Sequence, residues 1–390
     1  MASPRSRGEL VTLVHAMPGG SVATRPAPGL PASSQGDAGH PAVRALTDLA
    51  LLDPDATSSA RVENLSRAHP VWSVSLPDGR RLVVKSSAPE RGLDLGIEFL
   101  VYRLAVWCEP VREVLPEALV VDEDRHLLVL VDARSSAATG LGRRGGGQGV
   151  SGIPIGSLAE QAGWPELVHP GSSRGLSTQA LAVASEALGR TLGALHRGTT
   201  GLPLPPARPP VIVAALTAEY PATGAVAEHV AFLRADPLLT EAAGTVSAPV
   251  AGCLVNHDMK WDNVVVSSGR TVLVDWEMAG LGDPAWDLGC LLAEHLVRQP
   301  GPALTVTSDV PAVALLRGYA LGARPRPEIV PVLARRTVTA AALRIAQLGL
   351  EVVDTLGAHR PASPRQLTDR ARSVLSSLDS LTEEVAPCLR

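Results

Sequence analysis

The stretch from Asn256 to Leu288 constrains the fold of this chain more than any other. Two short apolar runs, Val264 to Val266 and Val272 to Val274, flank the polar turn Ser267-Ser268-Gly269-Arg270, which is the pattern of a β-hairpin. Asp258 and Asn263 precede the first run, and Asp275 follows the second. A hairpin closed at Gly269 brings its outer ends together, so these three oxygen-bearing side chains are expected to converge. Two carboxylates and an amide at one point suit Mg²⁺, which takes few protein oxygens and completes its shell with nucleotide phosphates.

Composition sets the frame for that stretch. With 390 residues, 45% hydrophobic and 19% charged, the chain is large enough for two lobes around a sizeable core. Its net charge of −4 gives no electrostatic case for nucleic acid or an anionic membrane as partner. Cys108, Cys253, Cys290 and Cys388 form no C-x-x-C pair and no metal-ligand spacing, so a reducing cytoplasm is the expected compartment. No apolar run approaches the ~20 residues that span a bilayer. Leu10 to Met17, after Arg5 and Arg7, is short and carries His15, and is read as part of an unstructured leader and not as an export signal.

Lysine usage is the sharpest compositional signal. Of 35 basic residues only Lys85 and Lys260 are lysine. A drift toward arginine would spare lysine where a compact ammonium acts differently from a guanidinium fork. Asparagine is nearly as scarce: Asn64, Asn256 and Asn263 are the only ones, and two of them fall in the opening stretch.

In chain order, residues 1–40 are rich in Pro, Gly, Ser and Ala without apolar periodicity and are expected to be disordered. Ala42 to Leu52 reads as an amphipathic helix. Val71 to Leu76, the turn Pro77-Asp78-Gly79-Arg80, and Leu82 to Lys85 read as two strands. The segment Glu63 to His69, entering the first strand, lies where a loop over nucleotide phosphates would sit, with Asn64 its candidate contact; it contains no glycine. From Leu93 to Trp107 apolar residues recur at helical spacing with Glu98 inside the run. Packed beside the strand that ends in Lys85, this helix would place Glu98 against the ammonium and hold it at nucleotide phosphates. Leu127 to Val131 is a further strand, and Asp132-Ala133 is the expected crossing between lobes, where backbone groups would meet an adenine. Residues 133–175 form a Gly-rich insertion. Gln179 to Arg197 reads as a helix capped by Gly198, with His196 a structural helix-end residue. Pro203 to Pro210 is a proline-rich connector. Further helices are expected over Pro221 to Arg234 and from Ala312 to the C-terminus.

These residues carry a resemblance. Lys85, Glu98, Asp258-x-Lys260-x-x-Asn263 and Asp275 stand in the order of the kinase signature set, and Gly282-Asp283-Pro284-Ala285-Trp286-Asp287-Leu288 is similar to the aminoglycoside phosphotransferase and choline kinase-like family. The resemblance covers roughly residues 60–300, with 254–289 its specific part. It implies an α+β, two-lobed protein-kinase-like fold: a small antiparallel-sheet N-lobe with one key helix over residues 41–132, and a larger, mainly helical C-lobe over residues 176–390. The catalytic loop would be 256–263 and the metal-binding segment 272–288. The resemblance further implies ATP and Mg²⁺ as cofactors, with a hydroxyl as acceptor.

By that resemblance, Asp258 would accept the acceptor's proton and Lys260 would neutralise charge on the transferring group. Asn263 and Asp275 would hold Mg²⁺, while Lys85, positioned by Glu98, would contact the phosphates. Asp287 would brace the catalytic loop from behind. Where the family has histidine then glycine before the aspartate, this chain has Asn256 and His257. A histidine at that glycine position puts a side chain where the backbone calls for unusual dihedrals.

Acceptor class is open at this level. The D-x-K-W-D-N wording resembles phosphotransferases of ribosomal peptide (lanthipeptide and thioamitide) biosynthesis, which implies a Ser/Thr hydroxyl of a precursor peptide and a lyase as possible partner. A small-molecule kinase acting on an antibiotic, sugar or amino alcohol is the alternative. A non-catalytic pseudokinase serving as a binding subunit is a third reading, from a different class.

Overall fold

The computed structural model describes residues 39–66, 70–87, 94–133, 153–154, 178–218, 220–247, 252–267, 270–299, 304–354 and 362–390. The leader of residues 1–38, and the expected insertion apart from Ala133 and residues 153–154, lie outside them. So do His69, Leu93 and the hairpin turn at Gly269.

A five-stranded antiparallel sheet begins the fold, with β1 (Arg61–Asn64), β2 (Val71–Ser75), β3 (Arg81–Ser86), β4 (Ala118–Asp122) and β5 (Leu127–Val131) in the order β1-β2-β3-β5-β4. Side chains alternate across a strand, and here the alternation separates two packing faces. Leu82, Val84, Leu127 and Val129 face α1 (Pro41–Asp48), where Ala42, Val43 and Leu46 are buried. Leu128 and Leu130 face the opposite way, onto Leu95, Phe99 and Tyr102 around α2 (Gly96–Leu104). Because Leu82 and Val84 face α1, the same parity turns Lys85 toward α2.

Two strands of this sheet were not foreseen in the sequence. Glu63 and Asn64 pair with Ser73 and Trp72 in β1, so the loop read from Glu63 to His69 begins later, at Leu65. β4 pairs with β5 across an irregularity between Ala118 and Val120, which breaks the simple alternation that marks a strand. The helix expected from Leu93 to Trp107 ends at Leu104. A short helix α3 (Glu109–Val114) follows. Arg270 reaches its C-terminal end from the later hairpin and donates to the carbonyls of Arg112, Glu113 and Leu115 at 3.1, 3.0 and 2.9 Å, satisfying orphan acceptors of a helix end.

Helices dominate the remainder: α4 (Thr178–Thr199), α5 (Val211–Thr217), α6 (Gly224–Arg234), α7 (Pro237–Ser247), α8 (Pro284–Leu296), α9 (Val310–Ala323), α10 (Val330–Asp354), α11 (Pro364–Ser376) and α12 (Leu378–Cys388). α10 is buried along most of its length and packs against α8, α11 and α12. No helix among the described residues is long and apolar enough to cross a membrane. The architecture is the expected α+β arrangement of a small antiparallel sheet and a larger helical part.

The expected cap at Gly198 is corrected. α4 continues through it to Thr199, and the left-handed residue beyond the end is Gly201, φ 78°. Gly198 instead admits Pro110: a Cβ there would lie 2.4 Å from the proline Cγ.

Two short sheets carry the opening stretch. β7 (Cys253–Val255) pairs with β10 (Gly280–Gly282), and β8 (Val264–Ser267) pairs with β9 (Arg270–Leu273). β6 (Ile153–Pro154) adds to the outer side of β8. The connector of residues 203–210 runs beside β10, with Leu281 donating to the Pro205 carbonyl at 2.7 Å and Ala207 donating back to Leu281 at 2.9 Å.

α4 and α9 run side by side in the same direction, with glycines four residues apart on each: Gly189 and Gly193, Gly318 and Gly322. Residues at that spacing share one helix face. A Cβ on Gly318 would lie 2.1 Å from the Glu186 carbonyl oxygen, and one on Gly322 2.1 Å from that of Arg190, so the two backbones touch and neither can yield. We expect Gly318→Ala to lower unfolding free energy by about 1–3 kcal/mol through overpacking. Gly244 is the control: within α7, nothing lies within 4 Å of its would-be Cβ, and Gly244→Ala should stabilise by about 0.5–1 kcal/mol. Denaturant unfolding of the two variants measures both.

Candidate functional site

Strand parity aims Lys85 at α2, and there its Nζ sits 3.0 Å from each carboxylate oxygen of Glu98. The same Nζ lies 3.0 Å from Asp275 Oδ1. Lys85 and Glu98 are buried, whereas the Asp275 side chain is 35% exposed. Burial works against the ammonium, but Glu98 and Asp275 together outweigh it and hold the Lys85 pKa above the usual lysine range. A strand, a helix and the hairpin end therefore meet at one cation.

The hairpin brings its ends together as the sequence requires. Val264 pairs with Leu273, and the pairing extends one step further, with Val274 N–H donating to the Asn263 carbonyl at 2.9 Å. Residues 258–261 alternate in burial: Met259 and Trp261 enter the core, while Asp258 and Lys260 stay about one quarter exposed on the same side. Lys260 Nζ donates to Asp258 Oδ2. Asn263 Nδ2 donates to the Asp258 carbonyl at 2.9 Å and lies 3.5 Å from its Oδ2. Asn256 Nδ2 reaches across to the Asp275 carbonyl at 3.0 Å.

Among the described residues no three His, Cys, Asp or Glu side chains gather into a metal site. Of the three side chains expected to converge, Asn263 reaches Asp258 directly, and Asn256 links the Asp258 N–H to the Asp275 carbonyl. Asp258 is engaged by Lys260 and Asp275 by Lys85.

The buried carboxylate of Asp287, in the first turn of α8, supports this loop. Oδ2 accepts from Asn256 N–H and Oδ1 from His257 N–H, each at 2.8 Å, and His196 Nε2 lies 3.4 Å from Oδ2. Trp286 Nε1 donates to the His257 carbonyl at 3.1 Å. His257 has φ 71° and Asp275 φ 65°, so the histidine in the glycine position does occupy the left-handed region. That conformation costs roughly 1–2 kcal/mol for a residue with a Cβ. Hydrogen bonds to a charged acceptor, worth about 1.5–3 kcal/mol each, offset it. Asp275, with the same sign of φ, turns the chain where the hairpin ends.

Two expected nucleotide contacts have other engagements. Asn64 Oδ1 accepts from Ser66 N–H at 2.9 Å and shapes the turn between β1 and β2. The Asp132 N–H, expected to face an adenine, donates to the Arg81 carbonyl at 2.9 Å and prolongs the β3–β5 pairing; its buried carboxylate faces the Arg81 guanidinium at 3.8 Å. That ladder bond occupies the Asp132 N–H among the backbone groups of Asp132-Ala133.

Sequence reasoning missed the roles of Asn256 and Tyr319, and it assigned His196 no part in the site. The scarcity of asparagine singled out Asn256 without showing its partner. Tyr319 carries no motif, and its hydroxyl meets His196 Nδ1 at 3.1 Å across 123 residues of chain.

Residues 152–330 match the model of the phosphotransferase enzyme family, a span that contains the whole loop and hairpin but not Lys85 or Glu98. The chain is similar to a choline/ethanolamine kinase family protein from Mesorhizobium loti, at 18% identity over 89% of this chain and 98% of that one, TM-score 0.47. It is also similar to the macrolide 2'-phosphotransferase MphH from Brachybacterium faecium, at 20% identity over 85% and 97%, TM-score 0.43. An amicoumacin kinase, solved with AMP-PNP and Ca²⁺, aligns at 12% identity over 87% and 94% with TM-score 0.50. No curated protein matches the sequence. The family model bears out the resemblance to phosphotransferases over residues 152–330, and the fold is kinase-like.

His257 generates a pH prediction. Desolvation pushes its imidazole below the usual histidine value, against the pull of Asp287 and Asp258 and a hydrogen bond to the Arg208 backbone. As pH falls below about 6.5, the unfolded chain takes up this proton before the folded one, so stability present above that pH is lost until the folded histidine itself titrates. His257→Asn, which tolerates positive φ, should flatten this slope. Denaturation midpoints of the two proteins between pH 7.5 and pH 5 test it; equal slopes would count against the assignment.

Proposed function

We propose that this chain is an ATP-dependent phosphotransferase that moves the γ-phosphoryl group to an acceptor hydroxyl. The observation that carries the reading is the three-way contact of Lys85 with Glu98 and Asp275 at 3.0 Å. It sets a fixed ammonium beside the carboxylate of the metal-binding segment, and phosphoryl transfer is catalysed chiefly by such placement of charge.

Each residue then has a task. Lys85, oriented by Glu98, holds nucleotide phosphate oxygens. Asn263 and Asp275 fit a divalent cation: the Asn263 amide is locked by its Nδ2 donation to Asp258, its Oδ1 accepts nothing among the described residues, and the Asp275 carboxylate is one-third exposed. Two protein oxygens leave the rest of the shell to phosphates, as Mg²⁺ prefers. When bound, the ion neutralises charge on the phosphates. Asp258 takes the proton from the acceptor hydroxyl as its oxygen bonds to phosphorus and the bond to the bridging oxygen of ADP breaks. Lys260, in contact with Asp258 Oδ2, holds that carboxylate in place and faces the charge on the moving group.

For the acceptor, the reading toward a Ser/Thr hydroxyl of a peptide is supported by Lys260, one of two lysines that the chain retains and the residue type that serine/threonine kinases carry at this position. A small hydroxyl compound is the second reading, favoured by the names of the solved relatives, which include choline/ethanolamine and macrolide kinases. A pseudokinase binding subunit is disfavoured by the intact contact of Lys85 with both Glu98 and Asp275.

ADP formation from Mg·ATP should fall by about 10²–10⁴ in Asp258→Asn while nucleotide binding persists. Lys85→Met should weaken nucleotide binding itself. Lys260→Arg should not restore what Lys260→Ala loses, because a fork does not replace a point charge. Undiminished turnover in Asp258→Asn would sink the enzyme reading. Phosphorylation of hydroxyl compounds but of no Ser/Thr peptide would sink the peptide reading.

A further inference from the structure

Behind the loop lies a buried polar chain that the phosphoryl-transfer reading does not use. His196 on α4, Tyr319 on α9 and Asp287 on α8 are each 2% exposed or less. Tyr319 Oη lies 3.1 Å from His196 Nδ1, His196 Nε2 lies 3.4 Å from Asp287 Oδ2, and the two Asp287 oxygens accept the Asn256 and His257 N–H groups at 2.8 Å. We propose that His196 and Tyr319 are positioning residues that fix the Asp287 carboxylate and, through it, the backbone that carries Asp258. The role rests on reading residues 256–263 as the catalytic loop.

Proton placement follows from the partners. A carboxylate only accepts, so Nε2 carries the hydrogen; a neutral imidazole then presents a lone pair at Nδ1, which takes the Tyr319 hydroxyl proton. One tautomer satisfies every group in the chain. Burial pushes the Tyr319 phenol well above its usual range, so it stays a donor.

Asp287 needs such a brace for two reasons. Its carboxylate can turn about its last torsion, and the two N–H groups it holds belong to adjacent residues, one of them the left-handed His257. A small rotation would loosen both bonds and let His257 relax. The third contact, from His196, opposes that rotation. Tyr319 is itself fixed, because it stands beside Gly318 where the α4 and α9 backbones touch: a Cβ on Gly189 would meet Tyr319 N at 2.7 Å. The glycine seam therefore sets where the tyrosine stands, and the tyrosine sets the histidine. A residue that merely filled space at His196 would need neither ring nitrogen paired.

The test uses the full chain and two readouts. In His196→Leu, hydrogen exchange in peptides covering residues 254–258 should rise at least about tenfold while α8 stays protected. kcat for ADP formation should fall by about 10- to 100-fold with the KM for ATP unchanged, since misplacement of about 1 Å costs on that order. His196→Gln, which returns a donor to the Nε2 position, should recover most of both; Tyr319→Phe should fall between. Unchanged loop exchange in folded His196→Leu overturns the proposal. If that variant does not fold, Tyr319→Phe decides, and wild-type exchange and kcat in it overturn the proposal. A stability role alone would lower the melting temperature and leave kcat per folded molecule constant. Absence of turnover in the wild type would refute the phosphotransferase reading, whereas the exchange result bears on the brace by itself.

Discussion

Burying the Lys85 ammonium is the constraint around which the two parts of this molecule are joined. A buried cation is tolerated only with carboxylates close by, and Lys85 draws them from two directions, Glu98 on α2 and Asp275 at the end of β9. The sheet supplies the lysine through strand parity. Its neighbouring helix supplies one carboxylate, and the hairpin supplies the other from 190 residues away. Arg270 adds a second tie between the same hairpin and α3. The sheet and the helical part thus meet through polar contacts at the cleft, and the continuous apolar core that includes Phe99, Leu128, Leu192 and Trp276 runs beneath them.

A second buried charge organises the other side of the site. Asp287 has no exposure to solvent, and its donors are backbone N–H groups of the loop together with His196. This arrangement explains how a histidine is sustained where glycine would be easier. The strain at His257 is local, and the bonds that oppose it are charge-assisted and shielded from water. Rigidity at the loop is inherited from helices whose backbones are in contact at Gly189, Gly193, Gly318 and Gly322.

Much of the chemistry was legible before any coordinates. Lys85 and Lys260 stood out because the chain keeps so little lysine, and the spacing of Asp258, Asn263 and Asp275 around two valine runs already described a hairpin whose ends meet. The α2 helix and the central strands followed from periodicity, since those signals are local. Strand β4 escaped because an irregular pairing blurs its alternation, and β1 because its residues are mostly exposed and show no apolar pattern. Gly198 was misread as a cap, since a glycine near a helix end serves equally well to admit a neighbour, and the neighbour, Pro110, is distant in sequence. The Asp132 N–H prolongs the β3–β5 pairing by one bond, which no local pattern announces.

The sequence by itself determined which cationic and oxygen-bearing side chains stand at the strand end and at the hairpin ends, because side-chain type, strand parity and hairpin closure act over a few residues. Tertiary structure alone decided which of them touch. It joined Lys85 to Asp275, gave Asp287 its backbone donors, and turned His196 from a helix-end residue into part of a buried chain with Tyr319. Those contacts join residues from about 30 to 190 positions apart. Separations of that size are closed by helix packing and by the glycine seam, and no local pattern records them.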